Sequence, residues 1–384
     1  MLSAPTAALQ DRLQRLRAAC AAATVEALVV STPHNIAYLT NFDGSTALVL
    51  VTAARLYLLS DFRYSAAVAR LLGSAGAPPD VEFVLVDGSY DAALARVARA
   101  AGVEALGFES AQVSVARAQS WSAKLDAEID GDGRRRLVGL DGVIERQRAV
   151  KDAHEIGVLR EAAARLSRVA RGVLADAVVA PGRSERAIAA EIDHRMKLAG
   201  FDRPAFDTIV ATGANSALPH AHPTDAVVGI GDLVVVDFGG VFDGYCVDLT
   251  RTVGVVRPGA EQRRMYRAVY DAQQKAIAAV RGGIAADVVD EAARAHLVSV
   301  GLGDVFGHGT GHGLGLDVHE EPRVGKRRDD APASRLEAGM VITIEPGAYV
   351  DGFGGVRIED DVLVGADAGD VLTDVPLDAR LLDG

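Results

Sequence analysis

The alternation of apolar and polar residues predicts two kinds of architecture along the chain. In the first part, apolar residues recur at helical spacing from Ala8 to Ala23. Strands are predicted in the segments EALVVS, STALVLV, RLYLLS and VEFVLV, and helices in DFRYSAAVARLL, YDAALARVARAAG and residues 113–125. Strands that alternate with helices are typical of an α/β layer.

The second part contains helices separated by two strand-turn-strand patterns. The segment AHEIGVLREAAARLSRVARGVLADAV carries apolar residues at helical spacing, and a second helix follows a Pro-Gly turn with Ser184 as its N-cap. Two more helices, predicted at residues 261–281 and 286–300, lie between the hairpins. Helices followed by a hairpin therefore occur twice, which predicts an internal pseudo-repeat whose two hairpins meet at a shared centre.

The length of the chain predicts two domains. A chain of 384 residues exceeds what one hydrophobic core usually organises, and its 49% hydrophobic and 24% charged residues are ordinary for a globular protein. The periodicity changes between residues 143 and 150, where a domain boundary is expected. We therefore predict an amino-terminal domain of residues 1–147 and a second domain of residues 148–384.

Charge and cysteine content argue against several classes of partner. The net charge is −12, and the densest basic run, residues 134–136, is interpreted as a solvated turn, so nucleic acid is not an expected partner. No window approaches the ~18 continuous apolar residues of a membrane span, and the amino terminus does not resemble a signal peptide. With two cysteines, Cys20 and Cys246, no disulfide framework is expected, which predicts a cytoplasmic location.

Four acidic residues lie in the two hairpin patterns. Asp237 and Asp248 belong to LVVVDFGGVFDGYCVDLTRTVGVV, and Glu345 and Glu359 belong to MVITIEPGAYVDGFGGVRIEDDVLV. Each acid lies in an apolar run, where a free anion carries a large desolvation penalty. Side-chain direction alternates along a strand, so one acid from each strand can face a common point. Two divalent cations would neutralise the four charges, as in two-metal hydrolases.

Histidines cluster between these two pairs of acids, in the segment FGHGTGHGLGLDVHEEP. His308 and His312 have the spacing of helical zinc motifs, but the alternate glycines make a helix implausible, and Gly309 stands where that motif requires Glu. A lone loop histidine is more often a simple hydrogen-bonding residue. The combination of paired acids with His308, His312, His319 and the earlier His220 predicts a metal site. Oxygen-rich ligation with one imidazole favours Mn²⁺, with Co²⁺ or Zn²⁺ as alternatives.

Several of these segments together resemble a known family. VDFGGVFDGYCVDLTRT, HGTGHGLGLDVHEEP, ITIEPGAY and GGVRIEDD resemble the M24-type dinuclear metallopeptidases, which include Xaa-Pro aminopeptidases, prolidases and methionine aminopeptidases. ATGANSALPHAHPT resembles the proline-specific branch, and SDFRY at residues 60–64 is similar to the amino-terminal domain of that branch and of creatinases. The resemblance implies an α+β pita-bread catalytic domain preceded by a smaller α/β domain.

The same resemblance implies a role for each site residue. Asp237 would bind one metal ion, His312 and Glu345 the other, and Asp248 and Glu359 both. A hydroxide shared by the two ions would be the nucleophile, and Glu345 would also accept a proton. His220 and His319 would donate hydrogen bonds to the reacting carbonyl oxygen. His308 would line the substrate pocket, and Tyr349 and Arg357 would hold the acids or the pocket in place.

The resemblance implies cleavage between an amino-terminal residue and a following proline in short peptides, by a homodimer. A prolidase restricted to dipeptides is the alternative. Arg323 would then clamp the terminal carboxylate, although a surface ion pair is the plainer interpretation of that residue. All five ligands are present, which argues against a creatinase and against a non-catalytic peptide-binding module. Methionine aminopeptidases commonly lack a large amino-terminal domain. Peptide length, metal identity, oligomeric state and any activity on organophosphates stay open at this point.

Overall fold

The computed structural model describes residues 4–126, 136–175, 177–327 and 334–382. The chain forms two compact units, Met1–Arg148 and Ala149–Gly384. Both cysteines are buried and free. No helix among the described residues is long and apolar enough to cross a bilayer. Of the basic turn predicted at residues 134–136, two residues lie outside the described part, and Arg136 begins a strand instead.

The first unit is built on a six-stranded mixed sheet. Its strands are β1 (Ala27–Val30), β2 (Leu48–Thr52), β3 (Leu56–Ser60), β4 (Val81–Leu85), β5 (Ala105–Glu109) and β6 (Arg136–Leu140). Its helices are α1 (Thr6–Ala22), α2 (Pro33–Thr40), α3 (Ser65–Leu72), α4 (Tyr90–Ala100), α5 (Val115–Asp126) and α6 (Val143–Ala149), the last ending at the division between the units. The strand order is β4-β3-β2-β1-β5-β6. This confirms the predicted α/β layer.

Three elements of the first unit were not predicted from the sequence. Helix α2 is buried at every position from Asn35 to Thr40, so it shows no amphipathic stripe. Strand β6 pairs with β5 at one edge of the sheet and has no buried residue, which leaves a weak apolar signal. Strand β5 includes Gly107, where a Cβ would lie 3.3 Å from the carbonyl oxygen of Ala27 on the neighbouring strand. Small residues in a strand weaken its pattern.

The second unit carries five helices and eleven strands among its described residues. The helices are α7 (Ala153–Ala175), α8 (Glu185–Leu198), α9 (Ala260–Ala279), α10 (Ala286–Ser299) and α11 (Ala379–Leu382). The strands are β7 (Arg203–Pro204), β8 (Ile209–Thr212), β9 (Leu233–Phe242), β10 (Tyr245–Gly254), β11 (Gly311–Gly313), β12 (Glu320–Val324), β13 (Val341–Ile344), β14 (Gly347–Val350), β15 (Gly354–Arg357), β16 (Asp360–Val364) and β17 (Gly369–Val371). The four long helices confirm the predicted ones. Ser184 caps α8, because its hydroxyl accepts a hydrogen bond of 3.3 Å from the amide of Ala187.

The first predicted hairpin is confirmed as the antiparallel pair of β9 and β10. Asp237 lies opposite Thr250, and Asp248 lies opposite Gly239. Asp237 and Gly239 are two residues apart, so both acids point to the same face as diagonal neighbours. Gly239 is required there, since a Cβ would lie 2.3 Å from the carbonyl oxygen of Val247. The hairpin therefore brings its two acids together.

The second predicted hairpin is interrupted, and this corrects the prediction that each of its acids lies within a strand. Strand β13 pairs with β16, and β14 pairs with β15 as a separate two-stranded ribbon. Glu345 and Glu359 lie at the two breaks instead of inside strands. Pro346 explains the first break, because it has no N–H to donate to a ladder. Gly347–Val350 form strand β14, and the reversal itself is confined to residues 351–353.

The two hairpins meet, as predicted. The amide of Glu359 donates to the carbonyl oxygen of Thr250 at 3.1 Å. The hydroxyl of Thr252 donates to the carbonyl oxygen of Arg357 at 2.9 Å and accepts from its amide at 3.0 Å. The predicted order of two helices, hairpin, two helices, hairpin is confirmed. The contact places both pairs of acids at one centre.

The glycine-rich histidine segment is extended at its centre, which confirms that it is not a helix. Strand β11 lies between β12 and β13. A Cβ on Gly311 would lie 1.9 Å from the carbonyl oxygen of Thr343, and one on Gly313 would lie 2.3 Å from the carbonyl oxygen of Glu321. These glycines permit a close approach of three backbone segments. His312, between them, is thereby held at a fixed position.

Candidate metal centre

Three of the five predicted ligands form one compact cluster. Asp248 on β10, His312 on β11 and Glu359 between β15 and β16 each offer one ligand atom, and these atoms all lie within 4.8 Å of one another. The other two predicted ligands lie beside them. An Oε1 of Glu345 is 3.5 Å from Nε2 of His312, and Asp237 is the diagonal neighbour of Asp248. The structure thus brings all five predicted ligands together.

Burial and mutual repulsion perturb the carboxyl groups of this cluster. Burial raises the pKa of Asp248 well above its usual value, and the charge of Asp237 raises it further. Burial, followed by the charge of Asp248, raises the pKa of Glu359 in the same way. The pKa of Glu345 is also raised, mainly by burial. Such a cluster is unfavourable as free anions and calls for positive charge at its centre.

Two unpartnered oxygen atoms test whether a cation fits this centre. Oδ1 of Asp237 and Oδ1 of Asp248 are buried, and neither has a hydrogen-bond partner among the described residues. Buried polar atoms without partners are rare and require a physical reason. A set of carboxylate oxygens with one imidazole suits divalent cations. The donor set therefore fits divalent metal ions.

His312 is held in the tautomer that a metal ligand requires. Its Nδ1 lies 3.0 Å from the carbonyl oxygen of Gly313, which can only accept, so Nδ1 carries the proton. Burial lowers the pKa of His312 and keeps the ring neutral. Nε2 is then the lone-pair nitrogen. The amide of His312 also donates to the hydroxyl of Thr343 at 3.1 Å, which fixes the backbone.

Arg357 connects an acid of the centre to the predicted substrate pocket. Its guanidinium donates to Oδ2 of Asp237 at 2.6 Å, to the hydroxyl of Tyr349 at 2.8 Å and to the carbonyl oxygen of Pro219 at 3.2 Å. The hydroxyl of Tyr349 lies 2.9 Å from Nε2 of His308. A continuous hydrogen-bond chain thus runs from Asp237 through Arg357 and Tyr349 to His308.

The tautomer of His308 follows from its partners. Nδ1 lies 2.7 Å from the carbonyl oxygen of Gly309, so it donates and leaves Nε2 to accept from Tyr349. Burial lowers the pKa of His308, which keeps the ring neutral. Burial also raises the pKa of Tyr349 to about 12, so its hydroxyl stays protonated and can donate. His308 is held from both sides.

His220 and His319 lie beside this arrangement with exposed side chains. The ring of His319 lies 4.4 Å from that of His312, between centroids, and burial together with His312 lowers its pKa. The residue before His220, Pro219, accepts a hydrogen bond of 3.2 Å from Arg357 through its carbonyl oxygen, which places His220 beside the hydrogen-bond chain. The structure therefore gathers all four predicted histidines.

Arg323 lies on β12 directly opposite His312 on β11. Directly opposite residues of an antiparallel pair share a face, so its side chain is on the same side of the ribbon as His312. The side chain is exposed, and no carboxylate in the part of the chain that the structure describes forms an ion pair with it. The plainer interpretation, a surface ion pair, thus finds no support among the described residues.

Several residues that support the centre were not predicted from the sequence. Thr250 donates from its hydroxyl to Oε2 of Glu359 at 2.6 Å. Asp361 is fully buried, its Oδ2 accepts from the amide of Asp248 at 3.1 Å, and burial raises its pKa well above the usual value. The run of three acids in VRIEDDVLV was the available signal for Asp361. Thr250 had none, because strand threonines are common.

A buried ion pair on α10 holds the loop that carries His308. Arg294 and Asp290 form a two-pronged contact with distances of 2.8 and 2.9 Å. Arg294 also donates to the carbonyl oxygens of Phe306 and His308, at 3.1 and 2.8 Å. Asp290 accepts from the amide and hydroxyl of Thr310. In the sequence, the pair looks like any i,i+4 surface pair on a helix, so nothing marked it as buried.

Known proteins share this architecture over nearly the whole chain. Residues 157–366 match the model of metallopeptidase family M24, and residues 12–150 match that of the creatinase/prolidase N-terminal domain. The uncharacterized peptidase YqhT of Bacillus subtilis (strain 168) is 35% identical over 373 residues, which cover 97% of this chain and 100% of that protein.

Two solved structures are similar to it over both units. The Xaa-Pro dipeptidase from Bacillus anthracis matches with a TM-score of 0.88 at 32% identity, covering 96% of this chain and 98% of the other. The X-Pro aminopeptidase from Thermotoga maritima MSB8 matches with a TM-score of 0.83 at 31% identity, covering 95% and 98%. The predicted resemblance and the predicted α+β pita-bread fold with a preceding α/β domain are confirmed.

Proposed function

Because this chain belongs to metallopeptidase family M24, we propose for it a divalent-metal-dependent cleavage of the peptide bond between an amino-terminal residue and a following proline. It is a metallopeptidase, and its substrates are short proline-containing peptides. The observation that carries the proposal is the convergence of five predicted ligands with two buried, unpartnered carboxylate oxygens. The similar structures named as Xaa-Pro dipeptidase and X-Pro aminopeptidase support the choice of bond.

The proposal assigns two divalent ions to the five ligands. Asp237 would hold one ion, His312 and Glu345 would hold the other, and Asp248 and Glu359 would be shared ligands. Two ions of charge +2 would balance the four carboxylates and offset the burial and repulsion that raise the pKa values of Asp248, Glu345 and Glu359. Oxygen-rich ligation makes Mn²⁺ the first choice, with Co²⁺ or Zn²⁺ as alternatives.

When bound, the ions supply a water of lowered pKa and stabilise negative charge on the peptide carbonyl oxygen. The protein's own groups handle the proton and orient the peptide. Glu345 would accept a proton of the attacking water and deliver it to the departing proline nitrogen. His220 and His319 donate hydrogen bonds to the carbonyl oxygen as its charge grows.

His308 and Tyr349 form the wall of the proline pocket in this proposal. Tyr349 holds the ring of His308 by a hydrogen bond of 2.9 Å, and Arg357 holds Tyr349 at 2.8 Å. Arg357 itself is fixed by Asp237 at 2.6 Å. The pocket is thus positioned by the same side chain that orients one metal ligand.

A metal-reconstitution assay tests the proposal. Protein stripped with a chelator should be inactive and should regain activity on Xaa-Pro peptides with Mn²⁺, Co²⁺ or Zn²⁺, with little cleavage of matched Xaa-Ala peptides. Glu359→Gln serves as the ligand-deficient control. Absence of any Xaa-Pro cleavage with all three metals would contradict the proposal.

Restriction to dipeptides is the second candidate, favoured by one observation. Arg323 shares a face with His312 and has no carboxylate partner among the described residues, so it can bind a substrate's terminal carboxylate through two parallel hydrogen bonds. A length series from Xaa-Pro to Xaa-Pro-Yaa-Zaa separates the candidates. Arg323→Ala should weaken dipeptides selectively, with Arg264→Ala, an exposed helix residue, as control. Equal weakening of all lengths would remove the clamp.

The proposal also includes a homodimer and a cytoplasmic location. The family resemblance supports the dimer, and the two free, buried cysteines fit a reducing compartment. Light scattering on the purified protein tests the first, since a monomer mass at all concentrations would contradict it. Fractionation of the producing cells tests the second.

A further inference from the structure

Glu185 is a fully buried acid whose carboxylate is satisfied by four hydrogen bonds. It is the first residue of α8, with no exposed surface. Oε1 accepts from the amide of Thr212 at 2.8 Å and from the side-chain amide of Asn215 at 3.0 Å. Oε2 accepts from the amide of Thr224 at 2.8 Å and from its hydroxyl at 2.6 Å. A buried carboxylate with this many donors is strongly held in place.

The four donors all lie at the two ends of a single segment. Thr212 and Asn215 begin the segment 212–224, and Thr224 ends it. One oxygen of Glu185 holds the beginning and the other holds the end. His220 lies between them, on irregular backbone that follows a short 3₁₀ turn. Glu185 therefore closes the segment that carries a proposed catalytic histidine.

The amino-terminal end of helix α8 does not depend on the carboxylate of Glu185. Ser184 caps α8 through a hydrogen bond of 3.3 Å to the amide of Ala187. All four donors to Glu185 lie outside the helix. The carboxylate therefore acts on the segment 212–224 and not on the end of the helix.

A third attachment connects the middle of this segment to the metal centre. The carbonyl oxygen of Pro219, the residue before His220, accepts from Arg357 at 3.2 Å. Ser216 donates to the carbonyl oxygen of Gly213 and accepts from the amide of Gly355 at 2.8 Å. With both ends and the middle fixed, the backbone of His220 has little freedom left. Each residue released from such a segment would regain conformational entropy.

We propose that Glu185 is a positioning residue for His220: by holding both ends of the segment 212–224, its carboxylate keeps the His220 ring where it donates to the peptide carbonyl oxygen. This inference rests on the proposed function for the role of His220. The tether itself does not, because it is a property of the hydrogen bonds alone.

Glu185→Gln tests the proposal with little change of shape. The amide offers one acceptor oxygen, so one end of the segment loses its partner. We expect kcat and kcat/KM on an Xaa-Pro peptide to fall together by about 10- to 100-fold, because displacement of a catalytic group acts on the transition state. Glu191→Gln, the same change at a half-buried position of the same helix, should leave both constants unchanged.

A double-mutant cycle distinguishes positioning from general weakening. In the background of His220→Ala, Glu185→Gln should cost less than about twofold more, because the group it positions is gone. A full loss of about 10- to 100-fold in that background would overturn the proposal. Thr224→Val, which removes the hydroxyl donor, should show part of the Glu185→Gln effect, and Thr224→Ser should restore it.

Hydrogen exchange provides a readout that is independent of activity. The amides of Thr212 and Thr224 bond directly to the carboxylate, so peptides covering residues 212–224 should exchange faster in Glu185→Gln and Thr224→Val. The rest of α8 and the Glu191→Gln protein should exchange as the parent does. Unchanged exchange would overturn the tether. If the parent protein cleaves no Xaa-Pro peptide, the proposed function fails, and this exchange result still decides the tether.

Discussion

Nη2 of Arg357 lies 2.6 Å from Oδ2 of Asp237, and both side chains are buried. The contact occupies one oxygen of the carboxylate and leaves Oδ1 without a partner among the described residues. One acid thus divides its two oxygens between a fixed guanidinium and the centre of the cluster. The arrangement orients Asp237 for a cation before any cation binds.

We expect Arg357→Lys to disrupt this orientation although it keeps the charge. A lysine cannot reach Asp237, Tyr349 and Pro219 at once, because it lacks the planar fork of donors. Loss of such a partner lowers metal affinity or activity by about 10- to 100-fold. Metal titration and peptidase kinetics measure the two effects. Arg160→Lys, at an exposed ion pair, is the matched control, and equal behaviour of the two variants would contradict the role.

Asp248→Asn should change the stability of the metal-free and metal-loaded protein in opposite directions. In the metal-free protein, burial and Asp237 disfavour the charged form of Asp248, so an amide of the same shape should raise the melting temperature near pH 8. With Mn²⁺ in excess, the parent should be stabilised by mass action, and the variant should show a much smaller shift. Thermal unfolding with and without metal measures both. A destabilised metal-free variant that keeps the full shift would contradict the ligand role.

In the metal-free protein, the buried carboxyl groups of the centre should make the free energy of unfolding fall as the pH rises above their ordinary pKa values. Folding raises the pKa values of Asp248 and Glu359 above their usual 3.8 and 4.5. The contribution of these two groups to the free energy of unfolding is therefore fully present below their usual pKa values, and it is lost as the pH rises through the pKa values of the folded protein. His308, His312 and His319 have lowered pKa values in the folded protein, so their contribution to the free energy of unfolding increases with pH. That increase is complete above pH 6.5, the ordinary pKa of histidine. Denaturant unfolding of chelated protein between pH 6.5 and about 8.5 measures the slope.

Bound metal should remove this loss. Metal binding displaces protons from the carboxyl groups, so the affinity for metal should rise over the same pH interval. Metal-loaded protein should therefore show a flat or rising free energy of unfolding. A falling curve with saturating Mn²⁺ would count against ligation by these acids.

Gly311→Ala should displace His312 and weaken metal binding. Its Cβ would lie 1.9 Å from the carbonyl oxygen of Thr343, so β11 would have to move away from β13. Overpacking of this kind costs about 1–3 kcal/mol, and here it also moves a ligand. Gly307→Ala, in the same segment, is the control, because its Cβ would meet nothing within 4 Å. Unfolding and metal titration should separate the two variants, and similar results for both would contradict the explanation.

The sequence predicted most of the site because its signals are local. Acids inside apolar runs marked Asp237 and Asp248, and the register of β9 and β10 follows from a two-residue reversal at Asp243 and Gly244, both with positive φ. The glycines around His312 were correctly interpreted as excluding a helix. Their positive reason, contact with the backbone of Thr343 and Glu321, was not predictable, because it depends on which strands pair.

The parts that sequence missed depend on distant partners. Pro346 breaks the strand after Glu345 because it has no N–H to donate. This local signal was usable, but the apolar residues around it suggested a continuous strand. Arg294 and Glu185 looked like ordinary helix residues, because their importance comes from carbonyl oxygens and donors far along the chain. Helix α2 escaped because burial on all sides removes its periodicity.

The ribbon of β14 and β15 pairs separately from the sheet that contains β13 and β16. Its tip, with the exposed Phe353, can therefore lengthen, shorten or change side chains without altering the register that places Glu345 and Glu359. The two strands themselves must stay, because Tyr349 and Arg357 belong to them and Arg357 holds Asp237. For protein engineering, the tip at residues 351–353 is therefore the part of the ribbon that can be exchanged without moving the acids of the centre.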